Sequence, residues 1–170
     1  MPRETVTDGP RLIPGSVIER IPAQYNGLVS AYLDLRHEFS SSREDVARQT
    51  MADQDAAIDS HGQRIQHLAL AAADRITTAV DYNPDGAGPH YLEIGSGYWY
   101  HIGERKLVQR KWKPNRLGIA RPDFENAPEA TPRDWYARGL QIADKLIEQY
   151  SRFRVGLLPR SLRALTAPTS

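Results

Sequence analysis

Apolar residues in the first quarter of the chain recur at helical spacing. Their intervals of four, three and four residues predict a short helix from Tyr25 to about Phe39. The three serines at 40–42 are interpreted as the end of this helix, since Ser42 and Asp45 form an S-x-x-D start signal for the next one. The apolar residues are Leu28, Tyr32, Leu35 and Phe39.

The longest predicted element is a helix from about Arg43 to Val80. Within it only Gly62 is unfavourable, by ~1 kcal/mol relative to alanine. Turn residues from Asn83 to Gly86 follow its end. At ~1.5 Å per residue such a helix would extend well over about 50 Å. Most helices of globular proteins have only three or four turns, so this length requires an explanation.

The apolar positions of this long helix follow a heptad pattern. One column runs regularly from Met51 to Ala79, whereas the companion column contains the polar residues Gln54 and His61. So narrow a stripe favours an oligomeric helical bundle with a polar layer that sets the register. The alternative is a helix that lies along its own domain. The candidate oligomerisation residues are Met51, Ile58, Ile65, Leu68 and Ala72.

Residues 90–112 are predicted to form an antiparallel β-meander. Alternating apolar residues flank Gly95-Ser96-Gly97, a pattern typical of a hairpin with a three-residue turn. Pairing Ile94 with Tyr98 sets the register of the first two strands. A second glycine turn leads to a third strand over residues 105–112.

This register divides the meander into an apolar face and a basic-aromatic face. A slip of one residue would exchange the two sets, because side chains alternate along a strand. The apolar face contains Leu92, Ile94, Tyr98, Tyr100, Ile102 and Leu107. The basic-aromatic face contains Tyr91, Glu93, Trp99, His101, Lys106, Val108, Arg110 and Trp112.

A second helix pattern follows a proline-punctuated connection over residues 113–131. Thr131, Pro132 and Asp134 give a helix start signal. Apolar residues spaced by four, three, four and three then predict an amphipathic helix over residues 131–154, which should pack on the sheet or on the long helix. These residues are Tyr136, Leu140, Ala143, Ile147 and Tyr150.

Both ends of the chain are predicted to be extended arms. Residues 1–23 contain four prolines, which oppose helix interiors and central strands. Residues 155–170 are basic and interrupted by proline. We expect the arms to grip neighbouring subunits and to be dispensable for folding, since such termini contribute little to a core.

Together these elements predict one mainly helical α+β domain over residues 1–170, with a helical region at residues 25–80. The chain contains no cysteine, which excludes disulfides, thiolate catalysis and cysteine-ligated zinc. No apolar run approaches the ~18 residues of a membrane span. The N-terminus lacks the apolar core of a signal peptide, so a cytoplasmic location is expected.

Sequence motifs of enzymes are sparse. His37-Glu38 is followed by residues that do not complete the helical two-histidine zinc motif, and Gly95-Ser96-Gly97 lacks the third glycine of a dinucleotide loop. His101 could approach Glu93 across the hairpin as a general base, although a surface pair is the commoner arrangement. The sequence therefore predicts a non-enzymatic protein with no metal and no cofactor.

The net charge of +1 conceals a strong asymmetry. Residues 25–60 hold seven acidic residues against three basic ones, and residues 90–116 hold six basic residues against two acidic ones. Such polarity is typical of charge-matched docking between subunits, or of contact with nucleic acid.

The basic-aromatic face is the strongest candidate for a binding surface. Cations beside flat aromatic rings suit single-stranded nucleic acid. Tryptophan and arginine are equally characteristic of protein interfaces, and aromatic residues are also simply good strand formers. The protein interface is favoured, with nucleic acid as the main alternative. The candidate binding residues are Trp99, His101, Lys106, Arg110 and Trp112.

The segment "DQDAAIDSHGQRIQHLALAAADRI" is rich in alanine and aspartate, and a glycine-hinged aromatic β segment follows it. In its general composition and order of elements, this combination resembles bacteriophage virion proteins of the tail-fibre, neck or connector type. The resemblance covers about residues 50–110 and implies a structural subunit of a homo-oligomeric assembly. The implied partners are copies of the chain and other assembly subunits, and the implied location is the virion.

Overall fold

The computed structural model describes residues 13–152 and 156–166, and within them the chain forms a mixed α+β fold, as predicted. The helices are α1 (Gly15–Glu19), α2 (Asn26–Arg48), α3 (Met51–Ala79) and α4 (Pro132–Ser151). The strands are β1 (Tyr91–Ile94), β2 (Tyr98–His101), β3 (Lys106–Gln109), β4 (Trp112–Pro114) and β5 (Ala120–Pro122). Two 3-10 helices cover Ala23–Tyr25 and Arg160–Thr166.

The break between the first two long helices lies at Gln49 and Thr50, not at the serines. Ser42 is buried inside α2, where its Oγ donates a hydrogen bond to the carbonyl of Phe39 at 3.0 Å. Serine can bond back to a preceding carbonyl in this way without ending a helix. At Gln49 and Thr50 the backbone is extended, and Thr50 precedes α3. The predicted helix over 43–80 is therefore two helices.

This break lets α3 fold back along α2 and bury its apolar stripe inside the same chain. Ile65 and Ala72 are buried in the core, and Leu68 packs against it. Ile58 is half-buried, whereas Met51 is exposed. Most of the predicted oligomerisation residues are therefore covered within the chain, and of these five residues only Met51 is exposed.

Two glycines allow α3 and α4 to approach closely. The helices run parallel, since Gly62 lies at Pro132 and Ile65 lies at Gly139. A Cβ on Gly62 would stand 1.9 Å from the carbonyl oxygen of Pro132.

The predicted cap of α4 is confirmed, because Thr131 and Asp134 form a reciprocal capping box.

We expect Gly62→Ala to lower the free energy of unfolding by about 2 kcal/mol. Overpacking costs ~1–3 kcal/mol, and the upper end of this range applies because the atom met is rigid backbone. The gain of ~1 kcal/mol in helix propensity offsets part of this cost. Urea unfolding measures the change. The control is Gly27→Ala, whose Cβ would meet only the flexible guanidinium of Arg75, at 3.2 Å. Equal stability of the two variants would contradict the close approach.

The three-stranded antiparallel sheet confirms the predicted register. Ile94 pairs with Tyr98, and Tyr100 pairs with Leu107. The apolar face packs on the helical core, where Ile94, Tyr100 and Leu107 are buried. The sheet thus presents its other face away from the helices.

The third strand is shorter than predicted, and a second hairpin follows it. β3 ends at Gln109, and Trp112 begins a separate antiparallel pair formed by β4 and β5. The prolines of this pair stand at the strand ends, Pro114 in β4 and Pro122 in β5. Proline is tolerated in strands that have no further neighbour. The predicted connection over 113–131 therefore contains regular structure.

The terminal arms are corrected where the structure describes them. Residues 13–23 include α1 and the start of a 3-10 helix, and Ile21 is buried. Residues 156–166 pack on α4, with Leu158, Leu162 and Leu165 in the core. Prolines here precede short helical turns instead of keeping the chain extended. Residues 1–12, 155 and 167–170 of the predicted arms lie outside the described residues.

Candidate interaction surface

Trp99 lies at the centre of the basic-aromatic face but is covered by the chain itself. It is 0% exposed and forms a small second core with Val108 and Ala127. The rings of Phe124 and Trp112 stand 5.4 Å and 4.9 Å from the Trp99 ring. Trp99 therefore offers no open stacking face, and its role is to support the residues above it.

The other predicted binding residues of the sheet are engaged locally. Lys106 Nζ lies 3.4 Å from a Glu104 carboxylate oxygen, and Arg110 Nη2 lies 3.4 Å from one of Glu93. His101 Nδ1 accepts a hydrogen bond from the backbone N–H of Glu104 at 3.1 Å. Burial lowers the pKa of His101, so its imidazole is neutral at pH 7. These side chains stabilise the meander and leave little charge for a ligand.

The exposed feature beyond the sheet is residues 111–122, which we call the basic hairpin. Its turn is held by Asn115, whose Oδ1 accepts hydrogen bonds from the N–H groups of Leu117 and Ile119, both at 2.9 Å. Asparagine stabilises turns in this manner. The sequence signal for this turn is Pro-Asn-Arg-Leu-Gly, within the segment that was predicted only as a connection.

The basic hairpin contains four cations and no acidic residue. Trp112 is 54% exposed and Leu117 is 83% exposed, and Ile119 is exposed as well. Trp112 is the only predicted binding residue on this hairpin, where its ring packs against the edge of Trp99. The cations, all exposed, are Lys111, Lys113, Arg116 and Arg121.

The cations of the basic hairpin are poorly neutralised within the chain. Lys113 is directly opposite Arg121, an arrangement that destabilises a strand pair. Lys113 lies 3.8 Å from the buried carboxylate of Asp123, whose pKa is lowered mainly by its hydrogen bonds from Asn126. Among the described residues, Arg116 and Arg121 have no ion-pair partner. An anionic partner would therefore relieve repulsion here.

The opposite charge is concentrated around the α2–α3 turn, at residues 44–59, which we call the acidic tip. It holds five acidic residues against the single base Arg48. Met51, at the start of α3, is 88% exposed. The acidic residues are Glu44, Asp45, Asp53, Asp55 and Asp59, of which all but Asp45 are exposed.

The acidic tip is joined to the helical core by His61. Its Nε2 lies 2.6 Å from Asp45, and its Nδ1 lies 3.1 Å from Glu38. Arg64 adds an ion pair to Glu38 at 3.3 Å, and the hydrogen bond from His61 lowers the pKa of Asp45. The cluster connects α2 to α3, because the buried His61 of α3 bonds to two carboxylates of α2.

A cavity of about 290 Å³ lies where α3 and α4 end. Its walls include Tyr82, Tyr150 and Leu157. Tyr82 is oriented by a hydrogen bond of 2.8 Å to His90. Among the described residues of the lining, Asp81 is the only ionisable group beside the two tyrosines, so these residues provide no paired acid and base.

Comparison with known protein families, curated proteins and solved structures finds no match. Within the described residues, no group of three acidic or histidine side chains is placed to hold a metal ion. In the same part of the chain, no helix has the length and apolarity needed to cross a membrane. The basic hairpin and the acidic tip are therefore the features on which a function is argued.

Proposed function

We propose that the protein is a non-enzymatic structural subunit of a homo-oligomeric assembly, with the basic hairpin as its docking element. The observation that carries this proposal is the exposure of Trp112 and Leu117 among four cations on an exposed two-stranded element. Exposed apolar groups with a polar rim are typical of interaction sites. Tryptophan and arginine are also the residues that contribute most at interfaces.

Support for Trp112 as the anchor comes from its packing. The rings of Trp99 and Trp112 form a T-shaped contact at an interplanar angle of 83°. Because Trp99 is buried, it limits the conformations of Trp112 before any partner binds. A side chain held in this way loses less entropy on association. The hairpin is thus suited to rigid docking.

The setting in a bacteriophage virion, as a tail-fibre, neck or connector component, is part of the same proposal. It rests on the alanine- and aspartate-rich composition and the aromatic β segment of residues 50–110, and on the opposite charges of the two surfaces. Partners would be copies of the chain and neighbouring assembly subunits, in the virion or in the cytoplasm before assembly.

Nucleic-acid binding is the second candidate, and one observation favours it. Arg116 and Arg121 have no ion-pair partner among the described residues, and phosphates would satisfy them. Against it, Lys106 and Arg110 are paired within the chain. A single-stranded ligand would show a fall of about 0.7 log units in affinity per log unit of salt for each phosphate neutralised.

We expect Trp112→Ala to weaken self-association by about 30-fold, as loss of ~2 kcal/mol at an interface anchor does. Sedimentation equilibrium over a range of protein concentrations measures the dissociation constant. The control is Leu157→Ala, which removes an exposed apolar side chain elsewhere. A wild-type protein that stays monomeric at high micromolar concentration would refute the assembly proposal.

A further inference from the structure

We infer that the basic hairpin docks on the acidic tip of a second copy of this chain. The inference rests on the proposed function and names the partner surface for it. Two different patches meet in such a contact, so it is heterologous, and repetition produces a ring or an open filament.

The two surfaces match in charge. The basic hairpin has four exposed cations and no acidic residue, whereas the acidic tip has four exposed carboxylates and one base. The C-terminus of α2 and the N-terminus of α3 meet at the tip, so the two helix dipoles oppose each other there. The carboxylates therefore set the sign of the potential at the tip.

The two surfaces also match in apolar content. Met51 is 88% exposed at the acidic tip, and Trp112, Leu117 and Ile119 are exposed on the basic hairpin. Methionine is unbranched and adapts to aromatic and aliphatic partners. An apolar centre within a charged rim is the usual construction of a protein interface.

The contact is assigned to a second copy because the described residues do not make it within one chain. Asp55 pairs with Arg133, and Asp53 accepts a hydrogen bond from Thr50. No ion pair among the described residues joins the basic hairpin to the acidic tip. Both surfaces are thus open at the same time.

Charge balance favours a second copy over nucleic acid. The net charge of the chain is +1, which provides little long-range attraction for a polyanion. A nucleic acid on the hairpin would gain nothing from the acidic tip, whereas a second copy satisfies both surfaces. A net charge near zero also promotes association between identical chains.

Charge reversal tests the contact. The hairpin variant carries Lys111→Glu, Arg116→Glu and Arg121→Glu, which changes four positive charges to a net of two negative charges. It keeps Lys113, whose Asp123 pair supports the hairpin. The tip variant carries Glu44→Lys, Asp55→Lys and Asp59→Lys, which changes its net charge from −4 to +2 and keeps Asp53 at the start of α3.

We expect each triple variant to weaken self-association at least about tenfold, because like charges then face each other across the contact. The chain that carries all six changes should recover self-association to within about threefold of wild type, because opposite charges face each other again. Sedimentation equilibrium at low salt measures all four proteins. Circular dichroism and urea unfolding identify any variant that fails to fold.

The outcomes separate this inference from the proposed function. If the hairpin variant alone dissociates, and the six-change chain is no better, the hairpin assembles with another surface, so the inference fails and the proposed function stands. If the wild type is monomeric, both fail. If the wild type binds a 20-nucleotide single strand as a monomer with the salt slope given above, nucleic acid is the partner and both are overturned.

Discussion

Deleting residues 159–170 is expected to unfold the protein. The deletion removes Leu162 and Leu165, which are both fully buried among the helices. Truncating one buried leucine costs ~2–5 kcal/mol, and a domain has only ~5–15 kcal/mol of stability in total. The cost of losing both side chains approaches the whole stability of the fold. This expectation replaces the sequence-based one, in which the C-terminal arm was dispensable.

Polar contacts add to the cost of this deletion. The carbonyl of Leu165 accepts hydrogen bonds from the buried guanidinium of Arg36 and from the hydroxyl of Tyr32, the latter at 3.1 Å. Hydrogen bonds from charged donors contribute more than neutral ones, and removing one partner leaves the other desolvated. The C-terminal 3-10 helix is therefore tied to α2 as well as packed on α4.

The substitution Leu162→Ala tests the same expectation on the full-length chain. We expect a loss of ~2–5 kcal/mol in the free energy of unfolding, measured by urea denaturation. The matched control is Leu157→Ala in the same segment, which is 59% exposed and should change stability by less than about 0.5 kcal/mol. Equal effects of the two substitutions would show that residues 156–166 do not belong to the core.

Local patterns predicted those parts of the fold that are decided locally. The register of the first hairpin followed from the glycine turn and from alternation around Ile94 and Tyr98. The start of α4 followed from Thr131 and Asp134, whose side chains bond to neighbouring backbone. In both cases the residues that set the geometry are within a few positions of one another, so tertiary context did not have to be known.

The break between α2 and α3 was not predicted because two local signals for the start of a helix are nearly equal in strength. Ser42 and Thr50 are both acceptable N-cap residues, and each is followed three positions later by aspartate. The burial of Ser42 against the core selected Thr50 as the start of α3. Long-range packing decided between them, and a pattern within one window does not contain that information.

The candidate site was predicted only in part for a similar reason. Trp112 was identified as a binding residue, but it was placed on the same strand as Lys106. The basic-aromatic face was predicted to be a binding surface with Trp99 in it, whereas Phe124 and Ala127, distant in sequence, cover Trp99. The sequence showed where cations and aromatic rings are concentrated. It did not show which of them another segment would bury.

A half-buried carboxyl beneath the C-terminal segment makes stability depend on pH. Asp144 on α4 is half-buried, and burial raises its pKa to about 6, although Tyr32 and Arg36 on α2 oppose the shift. Neighbouring Glu148 raises this pKa further, and Lys145 lowers it. The carboxyl of Asp144 is thus harder to ionise in the folded protein than in the unfolded chain.

The hydrogen bonds explain which protonation state of Asp144 the folded structure favours. The single hydroxyl proton of Tyr32 faces two acceptors, Asp144 Oδ1 at 2.5 Å and the Leu165 carbonyl at 3.1 Å. When Asp144 is protonated, it donates to the Tyr32 oxygen, and Tyr32 then donates to Leu165. When Asp144 is ionised, Tyr32 donates to it instead and Leu165 loses that bond. The protonated form therefore makes one more hydrogen bond, because the ionised form leaves the Leu165 carbonyl only its bond from Arg36.

Asp144→Asn should therefore raise stability at neutral pH and remove part of its pH dependence. Because the folded pKa of Asp144 exceeds the unfolded value, the wild type keeps its full stability below pH ~4 and loses stability as pH rises to ~6. The pKa of Asp144 is about two units higher in the folded protein than in the unfolded chain. Each unit corresponds to about 1.36 kcal/mol, so the upper limit on this loss is about 3 kcal/mol. The side-chain amide introduced by the substitution can donate to Tyr32 as the protonated carboxyl does, without titrating.

Urea unfolding of the wild type and of Asp144→Asn, measured in parallel from pH 4 to pH 8, tests this expectation. The difference in unfolding free energy should be small at pH 4, grow in favour of the asparagine variant up to pH ~6 and stay constant above that. The control is Asp34→Asn, which makes the same substitution at an exposed aspartate on α2, away from Tyr32 and Leu165. If the curves of Asp144→Asn and the wild type run parallel, Asp144 ionises as easily in the folded protein as in the unfolded chain. The C-terminal segment is then held by its leucines and by Arg36 without any contribution from this proton.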